Sequence, residues 1–105
     1  MRVHIVCRFN QARSVIASAL VRKLFPNAKV FSSGIAAKNG APIPQLIVDI
    51  AHQWGLEELD YLSTPIELAE PISDDDLVIC ADPSILEHLL SLQVPGELID
   101  AAQFA

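Results

Sequence analysis

The sequence predicts an α/β fold in three layers: a four-stranded parallel sheet, strand order 2-1-3-4, covered by helices on both faces. Three observations carry this. Four short apolar runs, at 2–6, 29–32, 77–80 and 97–99, are rich in Val, Ile and Leu, as buried parallel strands are. Helical spacing of apolar residues fills the intervals between them. Proline and glycine punctuate the junctions, giving the order β-α-β-α-(α)-β-α-β.

Residues 2–6 (RVHIV) read as the first strand, with His4 a packed strand residue rather than a catalyst. The stretch Cys7 to Ser14, CRFNQARS, then runs straight into a helix in which Ile16, Ala19, Leu20 and Leu24 recur at helical spacing, with Arg22 and Lys23 on the wet side. Pro26-Asn27 stops that helix, and Lys29 to Ser32 form the second strand, ending in the turn Ser33-Gly34 where open parallel sheets place their crevices. Residues 35–44, with Gly40, Pro42 and Pro44, read as a surface loop. Gln45 to Trp54 read as a helix ended by Gly55, with His52 on a polar face and Trp54 at the edge of the core.

Thr64-Pro65-Ile66-Glu67 is a capping-box pattern and predicts a short helix to about Glu70. Asp74-Asp75-Asp76 reads as a solvated approach to the third strand, Leu77 to Cys80; neighbouring carboxylates diverge too much to share a metal. Asp82 caps the next helix with Pro83 in its first turn, and Ile85, Leu86, Leu89 and Leu90 form the buried stripe. After Pro95-Gly96 the last strand, Glu97 to Ile99, leads to Asp100.

At 105 residues the chain is expected to be one domain, 1–105. The formal charge of −6 argues against nucleic-acid or anionic-membrane partners. No apolar run reaches membrane-spanning length, and Arg13, Arg22 and Lys23 interrupt any signal-peptide core. Two cysteines without a paired framework favour a reducing cytoplasm.

The chemistry concentrates in Cys7 to Ser14. A loop between a strand and a helix N-terminus offers backbone N–H groups and a positive dipole end to an anion. Arg13 can grip two oxygens of a phosphate with its planar fork. Cys7, at the foot of that cradle, would have its thiolate favoured by the same field and act as a nucleophile.

These residues resemble the low-molecular-weight protein tyrosine phosphatases, whose loop is commonly Cys-x-Gly-Asn-x-Cys-Arg-Ser. Beyond the loop, Ala17, Ser32-Ser33-Gly34, Gly40, Pro42, Pro44, Gly55 and Asp76-Leu77-Val78 through Asp82 follow the family's landmarks over roughly residues 1–100. The resemblance implies a phosphate-monoester hydrolase acting through a phosphocysteine on Cys7, with no metal or organic cofactor. Its substrate would be a phosphorylated protein or a small phosphate monoester, and a phosphate or sulfate ion would sit in the loop. Arg8, Phe9, Asn10, Gln11, Ala12, Arg13 and Ser14 would form the phosphate cradle. Ser14 would hydrogen-bond the Cys7 thiolate, and Asn10, tolerant of positive φ, would shape the bend.

The sequence departs from the family at several positions. Phe9 stands where the family has Gly, an expected cost of about 1–2 kcal/mol if that position needs positive φ. Ala12 replaces a second cysteine and Val15 a proline. The family's general acid is an Asp in an Asp-Pro pair after the last strand; by position the counterpart is Asp100, while the chain's Asp-Pro pair is Asp82-Pro83. Phe104 is the candidate aromatic wall near Asp100. The family's final helix has no counterpart here, which leaves a homodimer open as cover for the sheet. Two alternatives stand beside the hydrolase. Arsenate reductases share this fold, and a relay would pair Cys7 with Cys80, although a buried structural cysteine accounts for Cys80 as well. The other alternative is an oxyanion-binding regulatory module without turnover.

Overall fold

The structure, a computed structural model, describes residues 1–104, without the side chain of Phe104. The proposed aromatic wall at Phe104 therefore lies outside the described side chains. Four strands and three α-helices alternate: β1 (Arg2–Cys7), α1 (Arg13–Leu24), β2 (Lys29–Gly34), α2 (Gln45–Gln53), β3 (Leu77–Cys80), α3 (Pro83–Ser91) and β4 (Glu97–Asp100). All strands are parallel, in the order β2-β1-β3-β4 that the sequence predicts.

Register decides what meets at the sheet's C-terminal edge. Cys7 lies beside Gly34, Val6 beside Cys80, and Cys80 beside Asp100. Successive strand residues face opposite ways. Val3 and Ile5 therefore pack with Val30 beneath Ala17 and Val21 of α1, while Val6, Val78 and Cys80 pack beneath Ile85 and Leu89 of α3. Val15 and Ala19 of α1 join Val48 and Ala51 of α2 in a third cluster.

Helix α1 is rotated from the expected stripe. Ser14, Val15, Ser18 and Ala19 are buried, whereas Leu20 and Leu24 are exposed. Its apolar residues run almost all round, so periodicity is a weak guide, and the small Ser and Ala side chains let the helix sit close to the sheet. Arg22, expected on the wet side, is tucked in: it donates to the Val30 and Glu58 carbonyls and to the Asp60 carboxylate. In α3 the stripe is Ile85 and Leu89, and Leu90 is exposed.

The capping box at Thr64 does not form. Pro65 is extended, no side chain caps the segment, and the expected helix is a single 3-10 turn, Ile66–Leu68. Thr64 is drawn elsewhere: its carbonyl accepts the Gly34 N–H at 3.0 Å, and its N–H donates to the Asn10 side chain at 2.8 Å.

Asp74 and Asp75 are exposed, but Asp76 is buried. It accepts from the Ser73 N–H at 2.9 Å, the Arg2 guanidinium at 3.1 Å and the His4 ring at 2.8 Å. His4 in turn stacks on Phe31. The Ser73 N–H chiefly, then His4 and Arg2, hold the Asp76 carboxyl down at about 2 against burial, from an ordinary value of 3.8. A folded-state value below the unfolded one stabilises fully above about pH 4, and that support is lost as pH falls toward 2. The denaturant midpoint of Asp76→Asn is therefore expected to lie below that of the parent near neutral pH, with the gap closing on acidification. A gap that does not change with pH would refute this account.

Candidate active site

The turn from β1 to α1 is built around Asn10. Asn10 is fully buried with φ 53°, a left-handed conformation that asparagine tolerates better than most residues. All its polar groups are engaged. Its N–H donates to Cys7 Sγ at 3.2 Å, and its carbonyl accepts from Ser63 Oγ at 2.8 Å. Its Oδ1 accepts the Thr64 N–H, so its Nδ2 must donate, to Ser14 Oγ at 2.7 Å and Ser32 Oγ at 3.1 Å. Ser14 Oγ also lies 3.0 Å from Cys7 Sγ. Either atom can donate while Cys7 keeps its proton; a thiolate only accepts, and the Ser14 hydrogen is then directed at the sulfur. As a thiolate the Cys7 sulfur thus faces two donors, the arrangement suited to such an acceptor.

The loop passes so close to the end of β2 that Gly34 has no room for a side chain. A Cβ there would lie 2.6 Å from the Arg8 carbonyl oxygen and 2.8 Å from the Asn10 nitrogen. Phe9 does not take positive φ; that conformation falls on Asn10, so the expected backbone cost of an aromatic at Phe9 does not arise. The Phe9 ring is 57% exposed. It borders a hollow of about 320 Å³ with Gln11, Ala36 and Lys38. Gln11 is anchored through Nε2 to Ser63 Oγ at 2.8 Å.

Helix α1 begins after Ala12, with no side-chain cap and no acidic residue in its first turn, so its N-terminal dipole end meets no carboxylate of its own. Both loop arginines reach the start of α3. Arg13 Nη1 lies 3.0 Å from Asp82 Oδ2, and Arg8 Nη2 donates to Ser84 Oγ at 3.2 Å. Asp82 caps α3, accepting the Ser84 and Ile85 N–H groups, as the sequence predicts. The Ser84 hydroxyl chiefly, then Arg13, hold its carboxyl far below the usual range, so it is an anion and a poor proton donor.

The other acid candidate, Asp100, ends β4 at the same sheet edge and is buried. It stands two strands from β1, roughly 10 Å across the sheet. Its Oδ1 accepts the Ala102 N–H at 2.9 Å. The structure thus brings Cys7, Asn10 and Ser14 together, joins Arg13 to Asp82, and leaves Asp100 apart.

Cys80 lies on the opposite sheet face from Cys7, wholly buried under α3. Burial, with Asp100 and Asp82 adding to it, pushes its thiol up to about 11. The relay between Cys7 and Cys80 is therefore not supported by the fold: the two sulfurs point to opposite faces, and Cys80 is a core residue.

Three residues linked to the site are not marked for that role by the sequence. Ser63 and Asp60 lie in a loop without motif, and Thr64 reads as a helix cap. Each is recruited by a partner more than 25 residues away: Ser63 and Thr64 by Asn10, and Asp60 by Ser32. Among the described residues no group of three or more His, Cys, Asp or Glu is placed to hold a metal ion, and no helix is long and apolar enough to cross a membrane.

A parallel 2-1-3-4 sheet flanked by three helices, with a cysteine ending its first strand, defines the α/β class to which the small phosphatases belong. The chain is a member of the low molecular weight phosphotyrosine protein phosphatase family, whose sequence model matches residues 2–99. A probable low molecular weight protein-tyrosine-phosphatase, EpsP of Ralstonia nicotianae, is 30% identical over 87 residues, covering 83% of this chain. The chain spans 59% of that relative's length. Among solved structures, a YwlE arginine phosphatase mutant with serine in place of cysteine and a phosphorylated active-site serine superposes with a TM-score of 0.83. It is 20% identical, over 99% of this chain and 71% of its own. The tyrosine phosphatase Wzb of Escherichia coli K30, in complex with sulphate, has a TM-score of 0.71 at 22% identity over 90% of this chain and 64% of its own. At these identities the likeness to both is one of fold.

Proposed function

We propose that this chain hydrolyses phosphate monoesters, on a phosphorylated protein or a small molecule, through a phosphocysteine on Cys7. The observation that carries the proposal is the Cys7 sulfur with the Ser14 hydroxyl at 3.0 Å and the donating Asn10 N–H at 3.2 Å, both able to hold a thiolate, at the foot of a helix that lacks its own cap. The sulfate bound to Wzb and the phosphorylated serine in YwlE support it by likeness of fold.

In this reading residues 8–14 cradle the phosphoryl oxygens. Arg13 exchanges Asp82 for the substrate anion. The Cys7 thiolate attacks phosphorus in line; the S–P bond forms as the P–O bond to the leaving group breaks, and Asp100 delivers a proton to the departing oxygen. A water then attacks phosphorus, giving its proton back to Asp100. The S–P bond breaks with its electron pair returning to sulfur, where Ser14 and Asn10 receive the charge.

The test is turnover of p-nitrophenyl phosphate and phenyl phosphate by the parent and Asp100→Asn. The parent is expected to hydrolyse both. The variant should lose little on the activated ester and about 10²-fold or more on phenyl phosphate, whose poorer leaving group needs the proton. Equal losses on both would remove Asp100 from the acid role. A second reading, an oxyanion-binding module without turnover, is favoured by the separation of Asp100 from Cys7. Sulfate binding with no hydrolysis of either ester would select it.

A further inference from the structure

The hydrogen-bond chain from the Cys7 sulfur does not end at Asn10. Ser32 Oγ, which accepts from Asn10 Nδ2, donates to Asp60 Oδ2 at 2.6 Å. Asp60 is clamped in turn by Arg22 Nη2, 3.0 Å and 3.2 Å from its two oxygens. Arg22 is itself anchored to two carbonyls, 2.9 Å each, of Val30 on β2 and Glu58 beyond α2. A carboxylate can only accept, so it takes the one hydrogen Ser32 has to give. Ser32 must then present a lone pair to Asn10.

We propose that Asp60, held by Arg22, is a positioning residue for the Cys7 nucleophile, acting through Ser32 and Asn10 on Ser14. Thr64 fixes which way the Asn10 amide faces, and Asp60, by taking the one Ser32 hydrogen, keeps Ser32 an acceptor for that amide, so Asn10 holds its other hydrogen on Ser14 and the Ser14 hydrogen is left for the thiolate. Charge at the far end also polarises each link in the same direction. An asparagine at this position would reverse the last link. Arg22 would retain its oxygen, its NH₂ would face Ser32, and the Ser32 hydrogen would be turned against the amide of Asn10.

The inference rests on reading Cys7 as the nucleophile, and its test needs no turnover. The rate of iodoacetamide alkylation at Cys7 near neutral pH is followed by peptide mass in the parent, Asp60→Asn, Ser32→Ala and Ser32→Thr. Asp60→Asn and Ser32→Ala are expected to slow alkylation about 3- to 10-fold, the worth of one lost hydrogen bond, while Ser32→Thr, which keeps the hydroxyl, stays near the parent. Loss of a negative charge alone would make the thiolate easier to form and speed the reaction, and a loosened loop would expose the sulfur and do the same. Unchanged or faster alkylation in Asp60→Asn therefore overturns the proposal. Should that variant not fold, the comparison of Ser32→Ala with Ser32→Thr decides in the same way. Hydrolysis by the parent together with unaltered alkylation rates would sink the role of Asp60 and leave the hydrolase standing.

Discussion

Cys7→Ser is expected to abolish hydrolysis of p-nitrophenyl phosphate, by at least about 10³-fold, while the protein still folds and binds sulfate. A serine hydroxyl is not ionised near neutrality, and the donors around this position, the Ser14 hydroxyl and the Asn10 N–H, stabilise charge without removing a proton. Nothing in the loop acts as a base toward an alcohol, so the oxygen is left protonated and weakly nucleophilic. The cradle itself loses one atom's chemistry and none of its backbone, which is why anion binding should persist. Initial rates and the sulfate-induced rise in melting temperature separate the two effects. Cys80→Ala should keep its turnover, because that side chain faces α3 on the other side of the sheet. Hydrolysis by Cys7→Ser within tenfold of the parent would dispose of the phosphocysteine.

Gly34→Ala should be nearly as damaging, for a reason without chemistry in it. The added methyl meets two backbone atoms of the loop, at 2.6 Å and 2.8 Å, and backbone cannot rotate aside as a side chain can. Relief requires the loop to lift from β2, taking with it the Asn10 N–H that reaches the sulfur. Displacements of about 1 Å in a positioned site cost on the order of 100-fold in rate. The overpacking itself should lower stability by about 1–3 kcal/mol. Gly40→Ala is the control. No heavy atom lies within 4 Å of its added methyl, so only its φ of +75° is strained; stability should fall while turnover is kept. Equal effects of the two substitutions on turnover would show that the contact at Gly34 is not what shapes the loop.

Much of the architecture is legible because it is written in neighbours. The strand at 77–80 is a run of apolar residues, the cap at Asp82 is followed at once by Pro83, and Gly55 stands one residue past the C-cap of α2; each signal and its consequence lie within a turn of each other. Where the fold departs from the local signal, a distant partner outweighs it. Thr64 has the residues for a capping box, yet the Asn10 side chain and the Gly34 N–H hold it in an extended segment. Asp76 looks like the last of three solvated acids until Arg2 and His4, more than 70 residues earlier, surround it.

The sequence by itself therefore determined the parallel α/β sheet, its strand order and the family, and it singled out Cys7 to Ser14 as the stretch to watch. Only the tertiary structure decided which face α1 buries, that Asn10 rather than Phe9 carries the left-handed bend, that Arg13 rests on Asp82, and that Ser63 and Thr64 brace the loop while Asp60 binds Ser32. The reason is physical. Periodicity and capping are properties of adjacent residues, whereas a buried hydrogen-bonding group must find its partner wherever the fold brings one, at whatever distance along the chain.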